Sequence, residues 1–209
     1  MVPSVILGKV ESGTLRVGDK LTLIPTSKNC KAETIWIDDV RVNSAKPGEN
    51  IQVRLSGVTE KEVQKGFVVC SRAKPLTPVK TILTQLMIMD LGTTGLLTAG
   101  YKCMLHCHTL EEECWIEKVR LQVLLLWMTH GRLTMMLQLV CEIDKKTGKP
   151  KKTPCAFVRQ GSIANIILEV PQTMAVDTFK GHQQLGRFTL RDEGRTVAIG
   201  KILEINPSI

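Results

Sequence analysis

The sequence predicts an all-β chain, two antiparallel β-barrels in tandem. Short apolar runs alternate with Gly, Pro and Asp along nearly all of its 209 residues. The run Ile51-Gln52-Val53-Arg54-Leu55 alternates apolar with polar, the period of a strand with one buried face. Two prolines and two basic groups between Ser71 and Pro78 part the runs into two sets.

In the first set, Val5-Ile6-Leu7 stops at Gly8, and Glu11-Ser12-Gly13 turns. Thr14 to Val17 precedes the turn Gly18-Asp19, and Leu21 to Ile24 ends at Pro25. Thr34 to Ile37 stops at Asp38-Asp39, and Val40-Arg41-Val42 leads into the loop 46–50. Ile51 to Leu55 and Gly66 to Cys70 complete it. The second set runs Lys80 to Met89, Gly100 to Thr109, Phe157 to Gln160, Ser162 to Val170, Leu185 to Leu190 and Thr196 to Ile205. Strands this closely spaced, with turn residues between them, indicate a barrel or sandwich. Pro47-Gly48 fits a type II turn, with Pro presetting φ and Gly taking the left-handed position, and Glu193-Gly194 is read the same way. The expected boundaries are a first barrel over 1–73, a linker over 74–78 and a second barrel over 79–209.

Lys and Arg number 28 against 20 acids, a net charge of +8 spread evenly along the chain. This charge is compatible with contact to RNA or a ribosome. The loop Lys145-Lys146-Thr147-Gly148-Lys149-Pro150-Lys151-Lys152 is either a solvated hairpin end or a contact to a phosphate backbone. With only 4 Phe, 3 Trp and 1 Tyr, an aromatic platform for stacking single-stranded bases is not expected. No run reaches 18 apolar residues, so no membrane helix is expected. Seven cysteines, an odd number, with no secretory signal ahead of them, indicate free thiols in a reducing, cytoplasmic compartment.

The spacing Gly8-Lys9-Val10-Glu11-Ser12-Gly13-Thr14-Leu15-Arg16-Val17-Gly18-Asp19-Lys20-Leu21, then Pro25, resembles the second domain of translational GTPases. So do Lys46 to Asn50 and Gly66-Phe67-Val68-Val69. Ala99-Gly100-Tyr101, Leu105-His106-Cys107-His108-Thr109, Ile143 to Gly148 and Leu185 to Lys201 resemble the third domain of elongation factor one-alpha and its relatives. Within that group, Thr189-Leu190-Arg191-Asp192-Glu193-Gly194 with Gly200-Lys201 is most similar to the GTPase subunit of the eukaryotic peptide-chain release factor. The ribosome-rescue relative that partners the Pelota-type protein is close.

The resemblance implies a module that binds the codon-recognising release factor and presents it to the ribosome as a monomer, with no membrane partner. It implies partner binding at Gly186, Arg187, Phe188, Thr189, Leu190 and Arg191; the candidate rRNA contact at Lys145, Lys146, Lys149, Lys151 and Lys152 rests on the charge of their loop alone. No phosphate loop of the Gly-x-x-x-x-Gly-Lys-Ser/Thr type occurs, so no nucleotide site is expected in this chain. GTP and magnesium belong to the parent factor, whose nucleotide-binding domain would precede residue 1. The family's second domain has one more strand before Val5, so the first barrel is expected to be N-terminally incomplete.

Three other readings differ in class. A rescue or elongation fragment would hold a Pelota-type factor or aminoacyl-tRNA. A free-standing RNA-binding barrel would show a steep salt slope. A small enzyme would use Cys107 with a histidine, but needs a cleft and an orienting group. Cys103, His106, Cys107 and His108, with Cys114, invite a zinc site. On a strand, however, the thiols share one face and the imidazoles the other, so the ligands do not converge. Arg187, Thr189 and Arg191 should likewise share one strand face, with Phe188 and Leu190 on the other.

One stretch breaks the rhythm. Residues 119–138 hold twelve Val, Leu, Met or Trp and no acid, without a clean helical stripe. Removing them restores continuity with the family pattern, and their codons permit donor, branch and acceptor signals. They read as a translated intron, expected to be extra to the second barrel.

Overall fold

The computed structural model describes residues 4–92, 95–116, 142–143 and 157–206. Residues 119–138 and Lys145, Lys146, Lys149, Lys151 and Lys152 lie outside them. The chain divides into two compact units, Met1–Pro78 with Thr173–Val176, and Val79–Gln172 with Asp177–Ile209. The architecture is all-β, as the turn-punctuated sequence requires, and the described residues include no α-helix.

The first unit contains β1 (Ser4–Lys9), β2 (Leu15–Arg16), β3 (Lys20–Ile24), β4 (Lys28–Ile37), β5 (Val40–Val42), β6 (Ser44–Ala45), β7 (Asn50–Ser56) and β8 (Val68–Ser71). Its main sheet runs β1-β7-β4-β3-β8, with β5 on β4, and β2 pairs with β6 separately. The alternation read at 51–55 is realised in β7. Ile51, Val53 and Leu55 are buried, while Gln52 and Arg54 are only half-buried. They pack with Leu21, Leu23, Ala32 and Ile35 in one apolar cluster. On the other face of that sheet the Arg54 guanidinium lies 5.6 Å from the Trp36 ring.

The second unit contains β9 (Val79–Ile88), β10 (Leu96–Thr98), β11 (Lys102–Cys107), β12 (Leu110–Ile116), β13 (Glu142–Ile143), β14 (Phe157–Arg159), β15 (Ile163–Met174), β16 (Arg187–Asp192) and β17 (Arg195–Ile205). Its sheet runs β12-β11-β16-β17-β9-β15, and β12 pairs again with β15 through Trp115 and Ile116. Six strands therefore close on themselves, which removes the open edges of a flat sheet. Leu86, Ile88, Leu105, Ile166, Leu168, Leu190 and Ile202 are buried.

Several element readings need correction. The run Gly100 to Thr109 is not one strand. β11 ends at Cys107, and His108-Thr109 form the turn into a further strand, β12, that is not among the expected runs. His108 takes a positive φ there. β16 begins at Arg187, two residues after the expected Leu185. Glu193-Gly194 is not a type II turn, because both residues have positive φ, the I′ geometry whose twist suits a two-residue hairpin.

Gly200 explains how the barrel accommodates its one large aromatic in this region. It lies opposite Phe188 on one side and Leu86 on the other. A Cβ at residue 200 would sit 2.6 Å from the Phe188 ring and 2.5 Å from Leu86 Cδ2. The missing side chain is the space the Phe188 ring occupies.

Candidate functional site

β16 has the face pattern expected of it. Arg187 and Arg191 are exposed and Thr189 is half-buried, while Phe188 and Leu190 are 4% and 0% exposed. The Cα atoms of the two arginines stand four residues apart, about 13 Å along an extended strand. Neither is in an ion pair with a carboxylate among the described residues. Arg187 donates to the Gln184 side chain, and Arg191 Nη2 donates to the Gly194 carbonyl at 3.0 Å.

Of the six residues named from sequence, three therefore do not offer a side chain to a partner. Phe188 and Leu190 point into the barrel because strand alternation puts them there. Gly186 is buried, and a Cβ on it would lie 2.4 Å from the Phe179 backbone. It is a packing residue that lets the 178–179 backbone cross in contact.

The neighbours of β16 supply side chains that sequence reasoning missed. Cross-strand register places His106, Thr189, Ile199 and Met87 in one outward row. Arg187, Lys201 and Gln85 form the next row. Together with Ile163 these rows line a shallow groove of about 540 Å³. Met87 and Ile199 are large apolar side chains left exposed in it. His106 Nδ1 is 3.8 Å from Glu111 Oε1 at one margin. Outward-facing Met and Ile within strands were legible as a pattern, but their assembly into one patch depends on register.

The hairpin that carries Arg191 is pinned from outside β16. The Tyr101 hydroxyl donates to Asp192 Oδ2 at 2.5 Å. Burial, and then the Asp192 carboxylate, hold the phenol well above the usual tyrosine range. Tyr101 is the chain's single tyrosine, so its ionisation is directly visible by ultraviolet absorbance. We expect no phenolate near pH 10, the ordinary range, in the folded chain, and a lower midpoint in Asp192→Asn. A raised folded value means this contribution to stability is intact below about pH 10 and is lost as pH rises through the folded value. A normal titration of the folded chain would show that the bond is not formed.

The thiols and imidazoles weighed as a zinc cluster are separate in the structure, in line with the alternation argument against it. Cys103, Cys107 and Cys114 are buried in the barrel, His106 faces outward, and His108 lies in the turn. Cys107 Sγ sits 3.3 Å from the Arg187 carbonyl and 3.5 Å from that of Leu185. Burial pushes its thiol up to about 12, the opposite of an activated nucleophile. Among the described residues, no three His, Cys, Asp or Glu side chains group as a metal site, and no helix is long and apolar enough to cross a membrane.

An Elongation factor Tu domain 2 family model matches residues 4–70. A GTP-eEF1A C-terminal domain-like model matches residues 123–203, beginning within the stretch read as an intron. The chain is 32% identical to the eukaryotic peptide chain release factor GTP-binding subunit of Kluyveromyces lactis, over 97% of this chain and 26% of that protein. It is 31% identical to elongation factor 1-alpha of Desulfurococcus mucosus, over 97% of this chain and 41% of that protein. The chain thus spans about a quarter of the length of the release-factor relatives it matches. The crystal structure of sup35 complexed with GDP superposes with a TM-score of 0.80 at 28% identity, covering 96% of this chain and 44% of that one. The two family models together span more than half of the chain, which belongs to the translational GTPase family and carries two of its β-barrel domains.

Proposed function

We propose that this chain is the barrel portion of a translation-termination factor, and that the outer face of its second unit holds the codon-recognising release factor. The observation that carries this reading is the strand Arg187–Asp192. It sets two guanidiniums without carboxylate partners beside an exposed apolar groove, in the segment most similar to the release-factor branch. Arg and Met are common at interface centres, where a planar fork and an adaptable apolar chain both contribute. The chain works in the cytoplasm, beside the ribosome, and the lysines at 145–152 contact rRNA. GTP hydrolysis and magnesium binding belong to the parent factor.

A second reading is favoured by the match to an elongation factor at nearly the same identity. It makes the same face a holder of aminoacyl-tRNA. Immobilised full chain offered the codon-recognising release factor, a Pelota-type factor and aminoacyl-tRNA separates the readings. We expect retention of the release factor alone. Preferential retention of either other partner overturns the termination reading.

Calorimetry of this chain with GTP and magnesium is expected to show no saturable heat, because the chain has no phosphate loop to donate backbone N–H groups to the phosphates. Micromolar saturable binding would place a nucleotide site in the barrels.

A further inference from the structure

The interior of the second unit holds a thiol pair for which partner binding has no use. Cys103 on β11 and Cys114 on β12 are directly opposite in register. Their sulfurs are 3.5 Å apart, and the residues are 4% and 0% exposed. Directly opposed residues in an antiparallel pair have Cα atoms about 4.5–5.5 Å apart. That spacing lies within the range disulfides span, about 4.4–6.8 Å.

We propose that Cys103 and Cys114 form an oxidisable dithiol, a modification site at which a hydroperoxide-class oxidant installs a reversible disulfide across the β11–β12 hairpin. The chemistry balances with the peroxide as sole oxidant. One sulfur attacks a peroxide oxygen, and the O–O bond breaks. The first thiol's proton leaves with the departing oxygen, as water from hydrogen peroxide or as the alcohol from an organic hydroperoxide, and that sulfur becomes a sulfenic acid. The second sulfur then attacks the sulfenic sulfur. The S–O bond breaks, the S–S bond forms, and the hydroxyl leaves with the second thiol's proton as water. Two electrons pass from the sulfurs to the peroxide.

Two features make the step conditional rather than spontaneous. The hydrogen bond with Cys103, and burial, hold the Cys114 thiol well above the ordinary range, so thiolate is scarce in the closed barrel. Reaching the pair requires the barrel wall to open locally beside β12. Among the described residues, β12 meets β15 only at Trp115 and Ile116, which leaves Cys114 paired to β11 alone. The site also adjoins the candidate interface, because β11 is bonded to β16 through Met104–Arg191 and His106–Thr189.

The test treats the folded full chain with hydrogen peroxide, blocks remaining thiols in denaturant and maps the peptides by mass spectrometry. We expect the tryptic peptide 103–118 to lose two hydrogens. It should stay joined after glutamate-specific cleavage between Cys103 and Cys114, and dithiothreitol should restore both thiols. Cys107 lies in the same peptide, so Cys107→Ala provides the assignment. The link must persist in that variant, and fragmentation of the parent peptide gives the same answer if the variant does not fold. Loss of the link in Cys107→Ala overturns the proposal. So does recovery of Cys103 and Cys114 as blocked thiols under peroxide that oxidises the half-buried Cys70.

Discussion

Replacing Arg187 and Arg191 together with alanine is expected to weaken binding of the codon-recognising release factor by about 2–4 kcal/mol, roughly 30- to 1000-fold. Both guanidiniums face solvent on one side of β16, and neither is in an ion pair with a carboxylate among the described residues. A partner carboxylate that pairs with them meets little competition from the chain itself. The fold should tolerate the change, since exposed substitutions usually move stability by less than about 0.5 kcal/mol. The bonds given up are local ones, to Gln184 and to the Gly194 carbonyl. Arg187→Lys separates charge from geometry, because lysine keeps the charge and loses the planar fork. Isothermal titration beside a thermal melt reads both quantities. Parent-like affinity in the folded double variant places the interface elsewhere, and an unfolded variant makes the arginines structural.

Gly186→Ala is expected to have the largest effect on stability, about 3 kcal/mol or more, with the second unit's melting midpoint falling by roughly 10 °C. Its Cβ would sit 2.4 Å from Phe179 N and Cα and 2.6 Å from the Thr178 carbonyl carbon. Those are backbone atoms, so no rotamer change can relieve the overlap. The same crossing is anchored on both sides of the glycine. Phe179 N–H donates to the Ile202 carbonyl, and Ile202 N–H donates to the Gly186 carbonyl. Moving the backbone aside breaks bonds that would be left buried. Gly8→Ala is the control, because nothing lies within 4 Å of its Cβ position. A melt in which the two variants behave alike would mean the crossing at 186 is looser than these contacts require. The result also separates two roles that the Gly-Arg-Phe segment combines, with the glycine packing and the arginine facing outward.

What the sequence determined by itself was the class of fold and the faces of individual strands. Turn residues at short intervals leave no room for helices, and the period-two alternation at 51–55 and 187–191 put each side chain on its observed face. This information is local, carried by a strand's own residues. The extent of β11 was misread for the same reason. No Gly, Pro, Asn or Asp marks the reversal at His108-Thr109, and only the backbone, with its positive φ at His108, shows the chain turning into β12. Register was decided by tertiary structure alone. Met87, His106, Thr189 and Ile199 come from four different strands, and only the strand order β11-β16-β17-β9 aligns them in one row. The same holds for Cys103 opposite Cys114, for Tyr101 on Asp192, and for Gly186 beneath Phe179. Each is a pairing between segments, and a strand's alternation specifies which face a residue takes but not which residue it meets there.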